Sequence, residues 1–318
     1  MTAPATDTHD ATATYLSQPV TAVVPTHNRP ALMRRAVQSI VDQDYPGDIE
    51  IVVVFDGCEP VLPELYLPAN RSLRAVINTR SRGLAGARNT GILEAGAEFV
   101  AFLDDDDHWL FSKLSEQMAI FDAYPDVVLV GSAMRVDDGA LVQERLVPSS
   151  TIHYDDLLRS RLTGLHASSF VFRTRALIDD LGMVDEDLPG SFGEDYDLLL
   201  KAAKVAPIML VNRPLVQVSW KEQSYFFGKW NEYAEGLQYL LAKHPEFSDD
   251  RRSLARIHAQ LAFAYCASGQ RRKGRSYALK SLRRVPTRAK AYAALAVSFH
   301  LVSSTRVISM AHRLGKAI

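Results

Sequence analysis

Four short apolar runs in the first third of the chain alternate with segments of helical period. That alternation restricts the fold more than any other feature. Residues 20–24, 49–55, 73–78 and 99–103 are apolar runs of strand length, the first stopped by Pro25 and the second by Asp56-Gly57. Between the first two, Pro30 opens a helix whose Leu32, Ala36, Val37 and Ile40 share a face. A second helix is predicted over 84–95. Strands that alternate with helices predict an α/β layer, a mostly parallel sheet flanked by helices. In such sheets ligands gather beyond the carboxyl ends of the strands. Thr26, His27, Asn28, Asp56 and the run Asp104, Asp105, Asp106, Asp107 all fall there.

The later pattern is less regular. A helix is predicted over 113–122, a strand over 127–130, and an irregular hairpin over 133–147 that turns at Asp137-Asp138-Gly139. Strands follow at 168–172 and 208–211, and helices near 174–181 and 194–204. After Trp220 the chain reads as helical to its end. Within that part, Leu261, Ala262 and Tyr265 return 34 residues later as Leu295, Ala296 and Phe299. This is the tetratricopeptide period; an unrelated helical hairpin is the alternative. Three segments are therefore expected: a disordered leader over 1–18, a catalytic α/β domain over 19–225, and a basic helical domain over 226–318.

Charge divides along the same line. The net charge of −1 hides 15 Lys and Arg and no Asp or Glu from Arg251 onward. Such a basic segment is either a surface for anionic membrane, phosphate or another copy of the chain, or a helical face docked on an acidic one. The leader lacks the apolar core of a secretory signal, and no run reaches the roughly 18 apolar residues of a membrane span. Cys58 and Cys266 are isolated, which argues against a disulfide framework or zinc knuckle. A cytoplasmic protein is expected, with peripheral contact at the inner face of the membrane as an open use of its tail. Nucleic acid is not an expected partner.

Three features carry chemistry. A buried strand that ends in four aspartates is costly unless a cation is held there, and hard carboxylate oxygens suit Mg²⁺ or Mn²⁺ with substrate phosphates. If the run is extended, Asp104 and Asp106 point the same way; a solvated acidic turn before the next helix is the bland alternative. The Gly-rich segment from Ser81 to Gly91 lets backbones approach closely, and Arg80, Arg82 and Arg88 offer forks for phosphate. Glu194 and Asp195 open a helix, where carboxylates serve as dipole partners or, crowded by other acids, as a general base.

Together these motifs resemble glycosyltransferase family 2, the inverting enzymes of GT-A type fold, over roughly residues 19–225. The matching pieces are Val23-Val24-Pro25-Thr26-His27-Asn28-Arg29, Val53-Val54-Phe55-Asp56-Gly57, Ala87-Arg88-Asn89-Thr90-Gly91, Phe102-Leu103-Asp104-Asp105-Asp106-Asp107-His108-Trp109 and Gly193-Glu194-Asp195-Tyr196-Asp197-Leu198, in the family's order. The resemblance implies a donor site for a nucleoside-diphosphate sugar (UDP-, dTDP- or GDP-linked) built from Pro25, Thr26, His27, Asn28, Arg29, Asp56, Arg82, Arg88, Asp104 and Asp105. It implies Mn²⁺ or Mg²⁺ on Asp106 and Asp104, the ends of the acid-x-acid motif. Asp195 is implied as catalytic base toward an acceptor hydroxyl, with Glu194 orienting the acceptor. Two departures stand out. Ser81 replaces a frequent Asn, and the stretch 217–224 lacks the family's His, leaving Lys221 as a candidate phosphate contact. His166 lies in the acceptor region by analogy and reads more simply as a polar core histidine. A nucleotidyltransferase would carry a Gly-rich loop after the first strand, which this chain lacks; a non-catalytic scaffold acting through its tail is the remaining rival.

Overall fold

Alternate residues of the first strands face opposite sides of one sheet, and both sides are apolar, which is why the runs read as continuous rather than alternating. The computed structural model describes residues 17–220 and 228–313. β1 (Val20–Thr26) pairs in parallel with β2 (Ile49–Phe55) and β4 (Phe99–Phe102), and β2 pairs in parallel with β3 (Arg71–Ile77). Helices α1 (Pro30–Val41) and α2 (Leu84–Leu93) connect them. Val20, Ala22 and Val24 of β1 pack with α1 and with α3 (Lys113–Ala123), whereas Val23, with Val52 and Val54, packs toward α2 on the other face.

The rest of the sheet departs from simple parallel winding. β6 (Leu129–Asp137), β9 (Val171–Arg173) and β10 (Ile208–Ser219) complete it with β5 (His108–Trp109), in the order β3-β2-β1-β4-β9-β6-β10-β5. β9 lies antiparallel between β4 and β6, while β6 and β10 run parallel. The hairpin expected over 133–147 is present as the end of β6 paired with β7 (Val142–Arg145). β10 is far longer than the predicted 208–211, because register shifts on either side of Pro214 absorb a residue that would otherwise end the ladder. β8 (Thr151–Ile152) pairs with the start of β10, and α4 (Tyr154–Arg159), α5 (Thr174–Asp179) and α6 (Glu194–Val205) fill the connections.

The C-terminal segment is helical, as expected: α7 (Trp230–Lys243), α8 (Arg251–Ala267), α9 (Arg271–Arg284), α10 (Ala289–Ser298) and α11 (Ser304–Arg313). Gly274 of α9 sits so close to α8 that a Cβ there would lie 2.2 Å from the Cys266 sulfur. The two helices therefore touch backbone to side chain. One core cluster holds Phe102 of the sheet, Leu199 of α6, Leu237 of α7 and Leu261 of α8 together. Asp197 of α6 is fully buried and accepts from His244 Nε2 at 2.8 Å and Lys243 Nζ at 2.9 Å, at the end of α7. Apolar packing thus runs across the boundary drawn at 225. The proposed leader, apart from its last two residues, and Lys221 lie outside the described residues.

Candidate active site

The carboxyl end of β4 makes a tight turn instead of continuing extended: the Asp107 N–H donates to the Asp104 carbonyl at 3.1 Å. Burial still alternates. Asp105 and Asp107 point inward, Asp104 and Asp106 are half-exposed. Asp105 accepts from Thr26 Oγ1 at 2.7 Å and is paired with Arg29, which also reaches Asp106 at 2.9 Å. Burial, opposed by Arg29, pushes the Asp105 carboxyl up to about 6. The loop after β1 is therefore tied to the acidic turn through two of its expected donor residues.

Asp107 accepts from Ser168 Oγ at 2.6 Å and from the Ser219 N–H at 3.0 Å, and its carboxylate lies 3.3 Å from His166 Nδ1. Burial, against the pull of His166, raises it to about 7. Asp104, Asp107 and His166 each bring a ligand atom within 4.8 Å of the others, the group among the described residues that could hold a metal ion. Two carboxylates and an imidazole are an acceptable set for Mn²⁺ or Mg²⁺, with the nitrogen favouring Mn²⁺. The expected partner Asp106 faces Arg29 instead. His166, 28% exposed, stands at the site and not in the core.

Arg88 links the acidic turn to the start of α6. Its buried guanidinium, 2% exposed, bonds Asp104 at 2.6 Å and Glu194 at 3.0 Å. Burial and the adjacent Asp195 push Glu194 up to about 7, with Arg88 pulling the other way. Asp195 behaves oppositely. Burial would raise it, but Arg161, donating to both carboxylate oxygens at 2.9 Å, and then His166 bring it below its ordinary value. Burial, with the charge of Asp195, thus raises Glu194, while Arg161 keeps its neighbour low. Gly193 precedes the pair at φ 91°, a left-handed turn that starts α6.

At the far end, Asp56 is held by Asn78 Nδ2 and by the Gly83 N–H, both at 2.8 Å. His27 Nδ1 sits 2.6 Å from the Asp56 carbonyl, Asn28 takes φ 53°, and the Arg82 guanidinium lies over Gly57, where a Cβ would come within 3.2 Å of it. Pro25 keeps its place in β1 opposite Val54. The strand ends therefore bring the named residues together in a row: Asp56, His27 and Arg82 at one end, the acidic turn in the middle, Glu194 and Asp195 at the other. Arg161 carries no motif and is separated from Asp195 by 34 positions, so no sequence signal marked it.

The family model described as glycosyl transferase family 2 matches residues 21–181. A UDP-Glc:alpha-D-GlcNAc-diphosphoundecaprenol beta-1,3-glucosyltransferase of Escherichia coli is 25% identical over 193 residues, 61% of this chain and 73% of that protein. A GalNAc(5)-diNAcBac-PP-undecaprenol beta-1,3-glucosyltransferase of Campylobacter jejuni is 32% identical over 160 residues, 48% of this chain and 51% of that protein. The match therefore spans only about half of the latter. In fold, the chain is similar to S. aureus TarS 1–349 in complex with UDP-GlcNAc, with a TM-score of 0.60 and 19% identity over 94% of this chain and 92% of that one. It is also similar to a Pyrobaculum calidifontis mannosyltransferase in complex with GDP-Man and Mn²⁺, at a TM-score of 0.51 and 21% identity over 94% and 80%. Because the matched residues 21–181 make up half of the chain and carry the loop after β1, the acidic turn and the parallel strands β1 to β4, the chain belongs to glycosyl transferase family 2.

Proposed function

We propose that the chain transfers a sugar from a nucleoside diphosphate to an acceptor hydroxyl with inversion, Asp195 serving as base. The observation that carries this reading is the Asp104–Arg88–Glu194 bridge, which joins the acidic turn to the residue beside Asp195. Held low by Arg161, Asp195 is a carboxylate at neutral pH and oriented by two hydrogen bonds. It takes the acceptor proton as the acceptor oxygen bonds to the anomeric carbon and the nucleoside diphosphate departs from the opposite face. Pro25, Thr26, His27, Asn28, Asp56 and Arg82 are read as the nucleoside side. Arg29 and Arg88 act on it through Asp105, Asp106 and Asp104.

The metal reading rests on donor chemistry. Asp104 remains its centre, joined by Asp107 and His166 in preference to Asp106. A divalent cation there supplies Lewis acidity toward the leaving diphosphate. The names of the relatives support a lipid-linked sugar diphosphate as acceptor, and so a peripheral place at a membrane; no described helix is long and apolar enough to cross one. The helix pairs α8–α9 and α10–α11 are read as tetratricopeptide-like on their 34-residue period.

Calorimetry and product release test the site together. Asp195→Asn abolishes transfer, by at least about 100-fold on the scale of a lost catalytic contact, while donor binding survives. His166→Ala weakens donor binding with Mn²⁺ and leaves it unchanged in chelator. Near-normal turnover in the first variant removes Asp195 as base; metal-independent weakening in the second removes His166 as ligand.

A further inference from the structure

On the acceptor side of Asp195, four cations from three separate elements converge. Arg161, in the loop after α4, spends one nitrogen on Asp195 and stays 41% exposed. Arg256 of α8 donates to the Leu158 carbonyl at 3.0 Å and the Tyr196 hydroxyl at 2.6 Å, both uncharged in that bond. Arg288 caps the start of α10 and donates to the Arg252 carbonyl at 2.9 Å, and its Nε is buried with no acceptor. Lys290, in the first turn of α10, is half-buried and has no carboxylate within salt-bridge distance among the described residues. Burial, then Arg256, Arg288 and Arg161, push its ammonium down to about 8. Among the described residues, Asp250, which caps α8, is the carboxylate that offsets Arg288.

Like charges gathered in a half-buried place are unfavourable without a counter-charge. The aligned N–H groups at the start of α10 add to the same positive field. Arg161 is neutralised by Asp195; Arg256 and Lys290 are not neutralised by any described carboxylate, and Arg288 only at long range. We propose that Arg161, Arg256, Arg288 and Lys290 form an anion subsite beside the base, taking a phosphate or diphosphate group carried by the acceptor. Guanidinium forks and an ammonium match the oxygens of such a group, and its two or more charges suit several cations better than a single carboxylate does. The reading rests on Asp195 facing the acceptor. It assigns to the C-terminal helices a part of the acceptor site, since two of the cations sit on α10 or its cap and one on α8.

The test uses the full chain and inorganic pyrophosphate, with chelator present so that the metal site does not hold the anion. Calorimetry is expected to show one site, with Lys290→Gln and Arg288→Gln each weakening it about tenfold, the scale of a charged hydrogen bond. Acetate is expected to bind neither. Unaltered pyrophosphate affinity in the double variant overturns the proposal. A second arm compares acceptors with one sugar borne on a prenyl diphosphate, on a phosphodiester, or on an uncharged alkyl chain. In Lys290→Gln, KM rises for whichever phosphorylated acceptor is the true class and stays level for the alkyl glycoside; an equal rise for all three also overturns it. Donor hydrolysis without acceptor is unchanged in both variants. Turnover surviving in Asp195→Asn sinks the base assignment alone, because pyrophosphate binding is read without any sugar chemistry.

Discussion

At Asp195 burial and charge pull in opposite directions, and Arg161 decides the outcome. One residue earlier the balance reverses, because Glu194 shares its single guanidinium, that of Arg88, with Asp104. Two adjacent carboxyls are thereby set apart in proton affinity, Asp195 below its ordinary value and Glu194 near 7. A different buried charge has no such compensation. Lys113 is fully buried, without a hydrogen-bond acceptor, its ammonium 4.1 Å from the centre of the Trp109 ring. Burial holds it well below its ordinary value. The unfolded chain then binds the extra proton as pH falls below about 10, so stability is lost from alkaline toward neutral pH. Lys113→Met removes that term; urea unfolding at pH 7 is expected to show about 1–3 kcal/mol of added stability and a flatter dependence between pH 7 and 10. Lower stability in the variant would mean that the contact with Trp109 outweighs desolvation. Asp56, the acidic run and the Glu194–Asp195 pair were legible because each stands in a short motif at the end of a strand or the start of a helix. Arg161 and His166 were not, since only the fold carries them to Asp195 and Asp107 from a segment without period.

Elements were legible where one interaction dominates. β1, β2 and β4 are apolar on both faces, so their runs alone marked them. β10 was cut short because Asn212, Arg213 and Pro214 interrupt its apolar run, and only pairing with β6 on both sides of the bulge shows it as one strand. The acidic run was expected as an extension of β4 and instead closes a turn, because Asp107 finds Ser168 and the Ser219 N–H, groups the sequence does not place nearby. The junction of α6 and α7 is similarly nonlocal. Burial alone would raise Asp197, but hydrogen bonds from His244 and Lys243 more than offset it and leave the carboxyl below its ordinary value. Its stabilisation is therefore present above the unfolded value and lost as pH falls through the folded one. Asp197→Asn is expected to cost about 3–5 kcal/mol, the scale for breaking a buried ion pair, and to reduce the loss of stability below about pH 4. Denaturant melts at pH 7 and pH 3 check both; equal slopes in variant and parent remove Asp197 from acid unfolding.

Over the whole molecule, basic charge is sorted to the C-terminal end, and exposed apolar residues stand among it. The last 68 residues hold every one of their ionisable charges as Lys or Arg apart from histidine and the terminus. Arg272, Arg275, Lys280 and Arg283 line one shallow groove along α9 with Leu279, which is 49% exposed. Beside it, the Arg275 guanidinium lies 5.2 Å from the centre of the Phe299 ring, itself 59% exposed, and Leu301 and Met310 stand out at 80% and 61%. Scattered apolar residues are ordinary on a surface. Apolar residues interleaved with a basic face match the interfacial region of an anionic bilayer. The core continuous from sheet to α8 means that such contact would hold the acidic turn and the start of α6 at a fixed attitude to the membrane. Each basic residue near the surface contributes about 1 kcal/mol, and the attraction fades with salt. Flotation with phosphatidylglycerol vesicles at low salt is expected to carry the chain, release it at high salt, and leave it behind with neutral vesicles. Arg272→Glu with Arg275→Glu is expected to lose flotation while donor hydrolysis persists, because neither residue belongs to the groove around Asp104 or Asp195. Salt-independent flotation would place the attraction in Phe299 and Leu301 alone, and absence of flotation at low salt would leave the basic face to self-association, which sedimentation then measures.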